Sequence, residues 1–262
     1  MQNKIVEYKS GIIRTILIIL FLIAWELYGS SSDSISFYIS YPSMIAEDFL
    51  LFIKEGDLSL HTFTTAMEAY SGLIYGTILG VGLGLLFSQF KLFGKTLVPI
   101  IYSFQSIPQL TLAPLYILWF GIGFLSKVVL STTMVFFTLF FSTYNGIKSI
   151  DQKLIETATV LGANTFQILT KIVIPCIMPG IISGMRTGSR TCMVGAIVGE
   201  YIGASKGLGW MITYASSFFQ ISRVMSSIAI LLIMGVLVDW IIGKIEERVL
   251  MWRPEVKLSM EV

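Results

Sequence analysis

Charge is scarce in this chain of 262 residues: Asp, Glu, Lys and Arg together make 13%, against 55% hydrophobic residues and a mean hydropathy of +0.80. That balance excludes a soluble globular domain and implies an all-α polytopic membrane protein. Histidine is nearly missing too. His61 and the two cysteines, Cys176 and Cys192, are too few soft ligands for a metal set. Both cysteines sit in apolar, helix-like surroundings and read as small core residues; His61, with no second titratable group near it in sequence, reads as an interfacial polar residue. The net charge is only +2, and no basic run is interleaved with aromatics, so nucleic acid is excluded as a partner. No Cys-His pairing and no paired intramembrane carboxylates are visible, which leaves an intramembrane enzyme little to work with. Gly94-Lys95-Thr96 has the look of a phosphate loop, but the glycine required five positions earlier is Gln89, and no strand-forming stretch precedes it. The chain itself therefore carries no legible nucleotide or cofactor site.

What is abundant is apolar sequence in lengths that cross a bilayer. Runs at 11–28, 62–87, 97–120, 127–144, 174–198 and 225–242 predict six spans. A polar tail, 1–10, precedes them, a second tail, 244–262, follows, and 11–243 form one transmembrane domain. No small-residue cleavage site follows Ala24-Trp25-Glu26-Leu27, so the first run is expected to stay as a helix, with Trp25 and Tyr28 at the far interface. Residues 31–60 read as a polar connection. In the second run Gly72, Gly76, Gly80 and Gly84 form one bare stripe at which another backbone, of this chain or a second copy, can approach closely. Pro99, Pro108 and Pro114 break the third run, with Gln105 and Gln109 around Pro108. Freed carbonyls there call for water or polar partners, so both glutamines are candidates for a polar path, or for hydrogen bonds to neighbouring helices.

Between the fourth and fifth runs lies a segment, 151–175, with regularly spaced charge. Asp151 is a plausible N-cap, and Leu154, Ile155, Ala158 and Leu161 recur at helical spacing. Gly162 then stops the helix, and Asn164 or Thr165 opens the next, which runs into Pro175. Glu156-Thr157-Ala158, then Gly162, then Ile172-Val173-Ile174-Pro175 resembles the coupling motif of ATP-binding-cassette importer permeases, E-A-A-x3-G-x9-I-x-L-P. Thr157 stands for an alanine and Ile174 for a leucine. Tyr41-Pro42-Ser43, Ile107-Pro108 with the run from Leu115 to Gly123, and the run from Gly199 to Trp210 are similar to stretches of the nitrate/sulfonate/taurine/bicarbonate-type branch. Gly195 to Gly199 is closer to relatives that import vitamin or pyrimidine precursors.

The resemblance implies a type I importer permease fold and a division of labour. Glu156, Thr157, Ala158, Leu161, Gly162, Ala163, Ile172 and Pro175 would carry coupling to two partner ATPase subunits, which bind the ATP and Mg. A second permease subunit, most simply an identical copy, completes the path, and an extracytoplasmic solute-binding protein delivers the cargo. Placement of Lys and Arg fits cytoplasmic termini and a cytoplasmic coupling segment: Lys91, Lys95, Lys148, Lys153 and Lys171 fall inside, against Lys54, Lys127, Lys206 and Arg223 outside. Such a protein resides in a bacterial-type inner membrane. Charge within a span marks function by default, and Arg186, Arg190 and Glu200 share a face of the fifth. The arginines are candidates to attract an anionic solute, or Arg186 to pair with a carboxylate. An ion-coupled secondary carrier is the competing class; it needs a coupling-ion site near the midplane and leaves the coupling motif unexplained.

Overall fold

The computed structural model describes residues 2–251, with the side chains of 2–9 and 91 left aside. Regular structure among the described residues is helical: α1 (Gln2–Gly29), α2 (Asp33–Ile39), α3 (Pro42–Glu55), α4 (Asp57–Gln89), α5 (Lys91–Gln105), α6 (Ala113–Phe120), α7 (Phe124–Lys148), α8 (Gln152–Val160), α9 (Thr165–Ile168), α10 (Ile174–Ile202), α11 (Leu208–Ser217) and α12 (Ile221–Val249). Among the described residues five helical stretches are long and apolar enough to cross a membrane: Ser10–Gly29, Asp57–Gln89, Phe124–Lys148, Thr165–Ile202 and Ile221–Val249. They extend the runs read from sequence at both ends, because helical hydrogen bonding continues past the hydropathic boundary into the interface. α12 thus runs on into the expected tail. The tail from residue 252 onward, with Arg253 and Lys257, lies outside the described residues.

Two expectations fail here. The third span is not one kinked helix. α5 ends at Gln105, a 3₁₀ turn covers Gln109–Leu112, and α6 restarts with Pro114 in its first turn. Pro108 offers no N–H and biases Ile107 away from helix, so the chain breaks between the pieces. The polar connection 31–60 is likewise not a loop but α2 and α3. Pro42 opens α3, whose first turn is held by Glu26: its carboxylate accepts from Ser43 N (3.0 Å) and Ser43 Oγ (2.6 Å). Trp25 Nε1 donates to Ser40 O at 3.1 Å, and Arg223 of α12 bridges Asp48 and Glu55 of α3 at 3.0 and 2.9 Å.

α7 is the axis of the bundle, with α4 on one side and α10 on the other. The four glycines of α4 meet it in strict register. Gly72 faces Ser131, Gly76 faces Val135, Gly80 faces Leu139 and Gly84 faces Thr143, each four residues on from the last. The close neighbour is therefore a helix of the same chain. α10 answers with Gly184 against Leu139, Gly188 against Val135 and Gly195 against Ser131, whose Oγ donates to Cys192 O at 3.0 Å. Small residues on both flanks let three backbones approach where lipid supplies no hydrophobic drive between helices. Cys192 is buried in this seam, but Cys176 is exposed on α10, contrary to its reading as a core residue.

Candidate functional site

Segment 151–175, expected from its motif to couple to a partner, begins as a helical hairpin with each turn capped. Asp151 Oδ1 accepts from Lys153 N at 2.9 Å and opens α8. Gly162 closes it at φ 84°, a conformation that costs an L residue about 1–2 kcal/mol. Asn164 and Gln167 form a reciprocal capping box, Gln167 N to Asn164 Oδ1 and Asn164 N to Gln167 Oε1, both 2.9 Å. A single π turn, Leu169–Val173, then feeds α10, which passes through Pro175 and Pro179. Leu161 is 82% exposed and Phe166 72%, with Val160 beside them equally bare. Ala158, Gly162, Ala163 and Ile172 line an open recess of about 360 Å³ between the two arms. Apolar tips on a capped hairpin in a polar segment form a surface built to be covered. Glu156 and Thr157 lie on its exposed face.

The candidates for the path divide. Gln109 Nε2 donates to Phe104 O (3.1 Å) and Ile107 O (2.9 Å), so it satisfies carbonyls freed by the break at Pro108 in its own segment. Gln105 is exposed at the end of α5. Arg186 pairs with Glu246 at 2.6 Å, and Arg190 with Asp239 at 2.8 Å, tying α10 to α12. Neither arginine is a free cation awaiting an anion. Arg190, with Ser183 and Thr187 on the same exposed stripe of α10, presents a polar face.

Glu200 does not share that exposure. It is 1% exposed at the opposite end of α10, where it helps close the start of α11. The first free N–H groups there find three side-chain acceptors: Gly207 N donates to His61 Nδ1 (2.9 Å), Leu208 N to Thr65 Oγ1 (2.8 Å) and Gly209 N to Glu200 Oε2 (2.5 Å). Thr65 Oγ1 in turn donates to Glu200 Oε1 at 2.7 Å. A Cβ on Gly209 would stand 2.7 Å from Glu200 Oε2, which gives the Gly-Leu-Gly step its reason. His61 is therefore buried and structural, stacked on Trp210 at 5.3 Å and 16°, rather than interfacial.

Sequence reading missed the group that completes this corner. Glu68 of α4, 4% exposed, reaches the Glu200 carboxyl, and Lys127, 2% exposed, faces both. The statement that no intramembrane carboxylates pair is thus wrong. The partners are 132 residues apart in sequence, on α4 and α10, which pack against each other and against α7 and α11. Glu68 within a long apolar run was the available signal.

A bundle of apolar helices knit by small residues, with breaks and ion pairs along its length, defines a polytopic membrane transport protein. A family model described as binding-protein-dependent transport system inner membrane component matches residues 76–251. The chain belongs to that family, the permeases of ATP-binding-cassette importers. It is 32% identical over 229 residues to the putative aliphatic sulfonates transport permease protein SsuC of Bacillus subtilis, covering 87% of this chain and 83% of that one. It is 29% identical to the formylaminopyrimidine transport permease protein ThiX of Halalkalibacterium halodurans (91% and 95% covered) and 30% identical to the taurine transport system permease protein TauC of Escherichia coli (73% and 68%). Among solved structures, the inward-facing MetNI methionine ABC transporter matches with a TM-score of 0.62 at 22% identity, over 72% of this chain and 94% of that one, which speaks to the fold. Membership implies ATPase and binding-protein partners in general, and it favours an importer subunit without enzymatic activity of its own over an ion-coupled carrier.

Proposed function

We propose that the chain forms half of the translocation path for a small solute, with a second copy as the other half, two ATPase subunits docked on the coupling segment and a binding protein on the opposite face. The solute is an anion of the nitrate, sulfonate, taurine or bicarbonate kind, or a vitamin or pyrimidine precursor. Both termini and 151–175 face the cytoplasm, as the placement of Lys and Arg supports. ATP and Mg bind the partner subunits. Their closing motion moves the hairpin, and α10, continuous with it, carries the displacement into the bundle along its Ser183, Thr187 and Arg190 face.

The observation that carries this reading is the bare apolar tip around Gly162. A Cβ at Gly162 meets no heavy atom within 4 Å, so Gly162→Asp, beyond a local backbone cost of about 1–2 kcal/mol at φ 84°, adds a charge that only a docking partner meets. The chain should insert and assemble as before, while ATP hydrolysis no longer drives uptake into proteoliposomes. Undiminished uptake by this variant sinks the docking model, and a chain active without any co-purifying ATPase overturns the class.

A further inference from the structure

Glu200 has both carboxylate oxygens occupied by donors, Thr65 Oγ1 and Gly209 N. An acid holding two such donors is the ionised partner of a pair. Glu68 is its counterpart. Its Oε2 is buried and finds no donor among the described residues, and its carboxyl lies within hydrogen-bonding reach of Glu200. Two carboxylates cannot bond to each other without a proton between them. If Glu68 carries that proton, it donates to Glu200, its orphan oxygen is satisfied, and the ammonium of Lys127 balances the single remaining negative charge. Without the proton, a buried corner holds two anions against one cation and an unpaired polar atom, which low-dielectric surroundings penalise heavily.

We propose that Glu68 and Glu200 form a one-proton site that latches α4, α7, α10 and α11 together at the end of the bundle remote from the coupling hairpin. The ligand is a proton, and a cavity beside the pair supplies its route. Glu68 and Lys127 line a cavity of about 550 Å³, with Thr64, Ser205 and Lys206. The charged and titratable groups around the pair are Lys127 on α7, Tyr201 on α10 and Lys206 before α11, with His61 on α4 in the same corner and Asp57 and Arg223 facing His61. None of these accepts a hydrogen bond from Glu68 among the described residues. Losing the proton to alkaline solvent sets the two anions against each other, and the nearest relief is for Glu68 to swing into the cavity, which frees α4 from the α10–α11 corner.

The site stands apart from the transport reading, and its test needs no transport. The full chain in phospholipid nanodiscs is titrated by infrared difference spectroscopy while its unfolding midpoint is followed at each pH. The wild type should carry a protonated-carboxyl stretching band at neutral pH that disappears on alkaline titration, with the midpoint falling in step. Glu68→Gln, which keeps a donor in place of the acid, should lack the band, match the wild-type midpoint at neutral pH and lose its alkaline fall. Absence of the band from the wild type, or its survival in Glu68→Gln, overturns the proposal. Should that variant fail to insert, Glu68→Asp serves: its shorter arm draws the carboxyl back from Glu200 and must shift the band, and an unmoved band likewise overturns the assignment.

Discussion

Gly76→Ala adds one methyl group and should cost this protein a substantial part of its stability. The new Cβ would stand 2.6 Å from Val135 Cβ and 2.9 Å from Thr132 O, whereas ordinary contact begins near 3.4 Å. α7 would have to retreat by about 0.8 Å at this position, the gap between those two distances. The obvious retreat is closed. Behind α7 stand Gly188, already packed on Val135, and Gly195, whose own missing Cβ would lie 2.9 Å from Ser131 Cα. Overpacking of a core that cannot relax costs about 1–3 kcal/mol, which is roughly a 5- to 150-fold shift in the unfolding equilibrium. Gly82→Ala on the same helix is the matched control, because a Cβ there meets nothing within 4 Å. It should be neutral or gain up to about 1 kcal/mol from the better helix former. The assay is loss of helicity by circular dichroism as a denaturing detergent is titrated into mixed micelles of each variant. If the two substitutions behave alike, or if Gly76→Ala matches the wild type, close approach at the stripe is not what holds α4 to α7.

Thr65→Val removes at once the acceptor of Leu208 N and a donor to Glu200, both buried, and should cost about 1–3 kcal/mol in the same titration; a smaller loss than from an exposed control such as Thr159→Val refutes the corner's structural role. Arg190→Met leaves Asp239 with Ser189 Oγ as its remaining donor and, in so exposed a pair, should lower stability by about 0.2–1 kcal/mol, while the double variant Arg190→Met with Asp239→Leu recovers most of it; equal losses in single and double variants would show that the pair does not act as a unit.

Features that depend on one helix, or on one turn, were legible in the sequence. The cap at Asp151, the stop at Gly162, the opening at Asn164 and the glycine stripe each need only local stereochemistry and helical spacing. The stripe's partner was not legible, since bare spacing says only that some backbone comes close. Hydropathy misled at 97–120 and 31–60. Averaged over a run it registers apolar content and not the break that Pro108 imposes, and it cannot tell a loop from the amphipathic α3, which lies on α12 through Arg223.

The charged residues were misjudged for a physical reason that separates the two ends of the bundle. Arg186, Arg190 and Glu200 share one face of α10 by spacing, yet nearly four helical turns separate the first from the last, and the environment changes over that distance. Near the coupling hairpin the face meets α12, and Glu246 and Asp239 supply carboxylates to the arginines. At the far end the same face turns into the start of α11, where Glu200 serves backbone N–H groups and Glu68. Spacing along one helix predicts which side chains point together; it does not predict what stands opposite them. A permease that moves α10 from its hairpin end therefore pulls on ion pairs at one extremity and on a hydrogen-bonded, proton-dependent corner at the other. The second is the stiffer anchor, because three of its donors, Gly207 N, Leu208 N and Gly209 N, are backbone groups with no rotamers to yield.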